Sequence, residues 1–401
     1  MTMKTLLRRS DVRLLLTGQA LSMFGDWMMI IVLGIWTKEL TGSNGAAGLV
    51  FFVFALAGLV SPVGGLVVDR FAKRPLMIGS HLTLAGVMLL LLFVHDRSDV
   101  WIIYVVTALY GLGGDLFAAA RSSMLKAMLP DELLGDANGV LQSVREGLRI
   151  VAPLAGAGIY AATGGATVAV IDAVTFVLSA STLIALRFAE PPVAAKEHHL
   201  LREISAGVAH IWRTQVLREL TYGVAATMLV IGFSETLLFA LTQAIGRTAS
   251  FVGVLGSFQG VGAIAGGVTA GLLIRRIGDV RLTGLGVLFF AVGDGLFLVP
   301  SLPVILVAMV VAGAGIVWAV VALSTAYQRR SPQTMQGRVN AAANMLFSVP
   351  QTVSIAAGAA LITIVDYRVE VLVMLVGTLV AAVYLLTRRT PEETLELSLA
   401  A

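Results

Sequence analysis

The sequence predicts an all-α integral membrane protein whose twelve transmembrane helices fall into two six-helix pseudo-repeats. Three observations carry that reading. Of the 401 residues, 57% are hydrophobic and only 13% are charged, against roughly half and about a quarter in soluble domains; the mean hydropathy is +0.90. A single aqueous core could not hide so much apolar surface, whereas lipid could. The apolar residues gather into twelve runs, each near the about twenty residues that span a bilayer as a helix. Short patterns in the first half recur in the second at nearly one spacing.

The runs follow in order. Lys4, Arg8 and Arg9 precede the first, 12–37, and Arg13 lies at its start. That run is too long for a signal-peptide core and reads as a retained membrane helix. Runs 45–68, 76–94, 100–124, 137–162 and 166–188 complete the first half. Glu190 to Val216 is the longest polar stretch, with Pro191, Pro192, Lys196, Glu197, His198, His199 and Arg202. It divides the chain into an N-terminal bundle over 1–190, a cytoplasmic linker over 191–216, and a C-terminal bundle with a short tail over 217–401. Within the linker, Leu200 to Trp212 reads as an amphipathic helix at the membrane surface. Runs 217–244, 250–274, 282–299, 302–327, 338–364 and 368–387 form the second half.

Lys and Arg orient the helices. With the N-terminus inside, 22 of the 28 basic residues lie on inner segments; only Lys38, Arg97, Arg247 and Arg368 lie outside, and Arg145 and Arg149 fall within a helix. Both termini are therefore expected in the cytoplasm, in a multi-pass protein of the inner cell membrane. The formal charge of +4 follows from this topology and does not point to nucleic acid. The chain has no Cys, so disulfides, thiolate metal sites and Cys nucleophiles are excluded.

Two patterns repeat. Gly65-Leu-Val-Val-Asp69-Arg70-Phe-Ala72 after the second run matches Gly271-Leu-Leu-Ile-Arg275-Arg276-Ile-Gly278 after the eighth. Pro130-x4-Gly135-x2-Asn138 before the fifth matches Pro332-x4-Gly337-x2-Asn340 before the eleventh. Parallel repeats place a substrate cavity at their interface, near the membrane midplane.

Gly65-x3-Asp69-Arg70-x2-Lys73-Arg74 resembles the signature loop between helices two and three of the major facilitator superfamily, with Ala72 where that family has Gly. Arg149-Ile-Val-Ala152-Pro153-Leu-Ala-Gly156-Ala-Gly158 resembles the antiporter motif of its exporter branches, with Ala152 in place of Gly. The Arg-x-x-x-Gly pattern of many drug:proton antiporters is missing from the fourth run. Leu16 to Asp26, Asp136-Ala-Asn138-Gly and Ile171-Asp172-Ala-Val-Thr-Phe176 resemble the macrolide-efflux and enterobactin-exporter branch of those antiporters. The resemblance implies the major facilitator fold and alternating access. It also implies an inner gate at Asp69, Arg70 and Arg74, with Arg121 as a partner of Asp69, and an antiporter-like segment at Pro153 and Gly156.

No phosphate-binding G-x-x-x-x-G-K-[ST] occurs, so transport is expected to be secondary, with no cofactor. The five His residues, at 81, 95, 198, 199 and 210, have no metal-ligand spacing, and His198 and His199 read as solvated surface. A charge at the bilayer centre costs about 2.5–3.5 kcal/mol on insertion scales, so it needs a partner, water or a task. Gln19, Ser22 and Asp26 share one face of the first helix; Asn138, Gln142, Arg145 and Arg149 share one face of the fifth. Asp115 and Arg145 lie at similar depth, so Asp115 with Arg145 or Arg149 is a candidate ion pair, with a static packing pair as the alternative. Glu235 and Asp26 are the candidate proton-coupling acids, and Asp115 is the next. Gln19, Trp27, Gln142, Phe233 and Asn344 are the candidate substrate-binding side chains. Asp172, near the outer end of the sixth run, is expected to reach water.

The leading expectation is a secondary exporter of lipophilic, drug-like molecules driven by inward proton flow, acting as a monomer in contact with lipid. A dedicated exporter of one endogenous metabolite, such as a siderophore, is the first alternative. An uptake permease or a non-transporting membrane receptor is the alternative of another class. The outer loops are too short to hold a receptor's ligand domain. An enzyme would need a nucleophile with a base, or a metal cluster, and neither is found.

Overall fold

The computed structural model describes residues 10–59, 71–187, 200–332 and 335–388. Among the described residues the regular structure is helical throughout. The first half contains α1 (Ser10–Thr41), α2 (Asn44–Leu59), α3 (Lys73–Leu89), α4 (Val100–Met128), α5 (Asp131–Thr163) and α6 (Gly165–Ala185). The second contains α7 (Leu200–Arg213), α8 (Gln215–Ile231), α9 (Ser234–Ala244), α10 (Val252–Ile277), α11 (Asp279–Leu296), α12 (Leu302–Arg330), α13 (Gln336–Leu361) and α14 (Tyr367–Thr387). Each apolar run of the sequence overlaps at least one helix. Among the described residues seven spans are long and apolar enough to cross a membrane, and the bent pair α8–α9 makes an eighth if it is one span.

The chain divides into two compact units, Met1–His198 with Ala249–Val254, and His199–Thr248 with Leu255–Ala401. In the first, α1 packs on α5 and α6, and α3 packs on α4 and α6. In the second, α8 packs on α13 and α14, and α11 packs on α12 and α14. The same four seams thus recur: first helix on fifth and last, third helix on fourth and last. Helix ends repeat as well. Gly42, just past α1, has φ +71°, and Gly246, just past α9 and 204 positions later, has φ +67°. A helix end needs this left-handed conformation, and only Gly adopts it without a Cβ penalty.

Lipid gives helices no hydrophobic reason to associate, so close backbone approach has to hold them. Gly18 and Gly25, two turns apart on α1, face Thr182 and Asp172 of α6, where a Cβ at either position would clash. In the second unit Gly286 and Gly293 of α11 meet the α12 backbone, with ideal-Cβ positions 2.5 Å from Ala319 N and 2.9 Å from Ala308 O. Apolar side chains such as Val174, Val177 and Val268 remain exposed, at 50%, 45% and 79%, as a lipid-facing surface requires.

The amphipathic helix expected over Leu200–Trp212 forms, and its Ile204, Val208 and Ile211 pack against Val339, Ala342 and Ala343 of α13. Gly207 lies against the Arg338 carbonyl, where a Cβ would clash, and the His210 ring nitrogen Nε2 is 3.1 Å from the Arg330 carbonyl. Its apolar face is therefore occupied by protein.

Candidate functional site

The first unit holds a polar cluster around α1. Asp26 is partly buried. Tyr110 of α4 donates its hydroxyl to Asp26 Oδ1 at 2.9 Å, and Ser22, one turn back on α1, donates to Oδ2 at 3.5 Å. Arg121, about three turns further along α4, is within electrostatic reach of Asp26 and of Arg145.

Asp172 of α6 packs against α1 at Gly25, the residue before Asp26. It does not reach water, contrary to its place near the end of its apolar run; it is 0% exposed. Gly25 is the reason. With no side chain there, the carboxyl sits directly on the α1 backbone, and a Cβ would clash with Oδ1. Thr175 donates to Asp172 Oδ1 at 3.2 Å, and Oδ2 has no hydrogen-bond partner among the described residues. Asp172 and Asp26 are close enough to feel each other's charge.

Aromatic rings close the cluster. His81 of α3 is 1% exposed and stacks on Phe117 at 3.7 Å with an interplanar angle of 10°. Phe176 touches both His81, at 5.2 Å, and Tyr110, at 6.3 Å. Phe54 of α2 lies 5.8 Å from the Tyr110 ring.

Arg149 places its guanidinium over the Trp27 ring at 5.8 Å, a cation–π arrangement, while Asp115 buries Oδ2 and lies 3.8 Å from the ideal Cβ position of Gly58 on α2. Arg145 is exposed. Gln19 is buried at 4%. Gly156 sits on the Met28 backbone, three residues after Pro153 inside α5. Arg74 donates to the carbonyls of Leu183 at 2.9 Å and Ile184 at 2.7 Å. It therefore satisfies the end of α6, where a cation is favoured. Asp69, Arg70 and the side chain of Gln142 lie outside the described residues.

In the second unit, Glu235 lies in the first turn of α9, just past the break in the seventh span. Phe233 is 7% exposed and packs on Gly358 of α13, whereas Asn344 is exposed. Two acids that the sequence did not single out as sites are sealed. Glu370 of α14 is 0% exposed, accepts from Thr236 at 3.3 Å, and leaves Oε1 without a partner among the described residues. Asp279, at the start of α11, is held by Arg330 through two contacts of 3.0 Å and by Arg329 at 3.4 Å. Among the described residues no group of three or more His, Asp or Glu could hold a metal ion.

Two helical units of matching architecture, built from long apolar helices, are those of a multi-pass membrane protein. The chain belongs to the Major Facilitator Superfamily, whose family model matches residues 15–243 and 223–400. Among its relatives, an uncharacterised MFS-type transporter, YfiS, of Bacillus subtilis is 28% identical over 70% of this chain and 66% of its own length. Multidrug resistance protein MdtG of Enterobacter lignolyticus is 26% identical over 67% of this chain and 64% of its own. Macrolide efflux protein A of Streptococcus pyogenes is 26% identical over 48% of this chain and 49% of its own. These matches span just under two thirds, or less, of the relatives' own length. Among solved structures, a bacterial homologue of the iron transporter ferroportin, inward-facing, superposes with a TM-score of 0.74 at 17% identity, covering 95% of this chain and 100% of that one. The POT family transporter PepTSo superposes at 0.75 and 13% identity, covering 94% and 96%. At these identities the likeness is one of fold.

Proposed function

We propose that the protein is a secondary exporter of lipophilic small molecules, exchanging them for protons by alternating access. The observation that carries this reading is Asp26: a part-buried carboxylate on the first helix, held by Tyr110 and Ser22 with Arg121 in reach. An acid placed in this way can gain or lose a proton as a substrate approaches, and an intramembrane acid is a functional candidate by default. The multidrug and macrolide efflux proteins among its relatives support the substrate class. Glu235 and Asp115 are the further coupling candidates. The chain works as a monomer of the inner membrane, with twelve crossings and both termini cytoplasmic, as the distribution of Lys and Arg supports.

The test uses inverted membrane vesicles loaded with a pH-sensitive dye and a panel of lipophilic compounds that includes a macrolide. Compound addition is expected to release protons from the acidified lumen, and Asp26→Asn is expected to abolish the response while the protein remains inserted. Full proton movement in Asp26→Asn and in Glu235→Gln would refute the assignment.

A further inference from the structure

We propose that Asp172 is the second carboxyl of the site at Asp26. The two acids form a dyad that holds its protons in common, and Asp26 is the member that exchanges with the surroundings. The inference deepens the reading of Asp26 as the proton-exchanging residue and rests on it.

Asp172 has no structural task that explains its burial. It faces the middle of α1, where every backbone N–H is already used by the helix, so there is no helix end for it to cap. Its one side-chain donor is Thr175, a turn away on its own helix, and Oδ2 is sealed with no partner among the described residues. A carboxyl left so under-satisfied in an apolar seam is costly unless its protonation is used. Gly25 leaves the space that admits it next to Asp26.

The groups around the pair are few. α4 supplies the Tyr110 hydroxyl and the Arg121 charge. α3 supplies His81, which meets the pair only through the Phe176 and Tyr110 rings. α5 supplies Arg149 above Trp27, and Arg145 on the side of Arg121. α2 supplies the Phe54 ring and no charged side chain among its described residues. With Arg121 the cation in reach of Asp26, two ionised carboxylates would leave surplus negative charge in the seam, so the pair keeps at least one proton. The pair then titrates in two steps that belong to both acids together. When a proton leaves, the O–H bond of Asp26 breaks, its electron pair stays on the carboxylate, and a water takes the proton as hydronium. The proton on Asp172 stays behind and limits the charge.

The experiment needs no substrate. The full chain in lipid nanodiscs is treated with dicyclohexylcarbodiimide, which modifies protonated carboxyls in apolar sites, and adducts at Asp26 are counted by peptide mass spectrometry from acidic to alkaline pH. Two steps about one pH unit or more apart are expected in the parent protein, and a single step in Asp172→Asn. Gly25→Ala removes no titratable group but pushes the Asp172 carboxyl off α1, so its two steps should merge. If Asp172→Asn does not fold, Gly25→Ala decides. One step in the parent protein, or an unchanged profile in either variant, overturns the dyad. Two-step labelling in a protein that moves no protons would leave the dyad standing and refute the antiport reading. Proton movement that depends on Asp26, with one-step labelling, would do the reverse.

Discussion

Replacing Gly156 by Ala tests how α5 is held to α1. A Cβ at this position would stand 2.5 Å from Met28 Cγ, 2.9 Å from Met28 O and 3.2 Å from Met28 Cα. Carbon atoms prefer about 3.5–4.0 Å, so the surfaces must part by several tenths of an ångström. The Met28 side chain could bend away, but its carbonyl and Cα belong to the backbone of α1. Met28 is 0% exposed, so it has no empty space to move into. Overpacking of this kind costs about 1–3 kcal/mol, or about 3–10 °C in melting temperature for a unit of this size. The assay is thermal unfolding of the purified protein in detergent, followed by intrinsic tryptophan fluorescence. Gly158→Ala is the control: it lies two residues further on the same helix, and a Cβ there would meet nothing within 4 Å. The reasoning fails if Gly156→Ala melts with the parent protein, or if both variants lose the same stability.

Arg330→Ala should cost about 3–5 kcal/mol by leaving Asp279 buried and unbalanced, because Arg330 holds both carboxylate oxygens and is 24% exposed at its side chain. Arg329→Ala, with a side chain 60% exposed, should cost under about 1 kcal/mol in the same unfolding measurement; equal losses would count against the bidentate contact. Gly207→Val should lift α7 from α13 through its clash with the Arg338 carbonyl, which limited trypsin digestion would report as faster cleavage at Arg202 and Arg213. Between α3 and α4, the Ser98 hydroxyl and amide hold the Asp96 carboxyl below the usual carboxylate range. Its contribution is present above the ordinary carboxylate pKa and is lost as pH falls through the lowered folded value. Exchange protection of the Ser98 amide should therefore persist into mild acid and vanish below it, and Asp96→Ala should remove it at every pH.

The membrane helices were legible because hydrophobicity over about twenty residues is a strong, local signal. The polar cluster was only half legible. Ser22 and Asp26 sit four apart on one helix and were placed on one face, as they are. Asp172 lies near an end of its run, but position along a helix says nothing about which neighbour covers it. The available hints were Gly25 beside Asp26 and Thr175 three residues after Asp172. In the sequence, the pairing of Asp115 with Arg145 or Arg149 rests on depth alone, because helix rotation is not fixed by position along the chain. Glu370 falls inside the run 368–387, two residues from its start, and nothing in the sequence shows that Thr236 of another helix lies against it. His81 gave no signal beyond being a lone polar residue in an apolar run, and its burial depends on the Phe117 ring of another helix.

The break between α8 and α9 bends the seventh span by 42°. It occurs where Gly232 presses on α13, its ideal Cβ position 2.5 Å from Ile355 N and 2.7 Å from Gln351 O. Ser234 donates to the Ile231 carbonyl, and the amides of Glu235 and Thr236 bond to Gly232 and Phe233 at 3.3 and 3.2 Å, so the corner leaves little backbone polarity exposed to lipid. A corner satisfied in this way works as a pivot with a lever attached. The 11 residues of α9 make an arm about 16 Å long at 1.5 Å per residue. Each ten degrees of further bending would carry its tip about 3 Å, roughly the width of a water molecule, with no helical hydrogen bond broken along the arm.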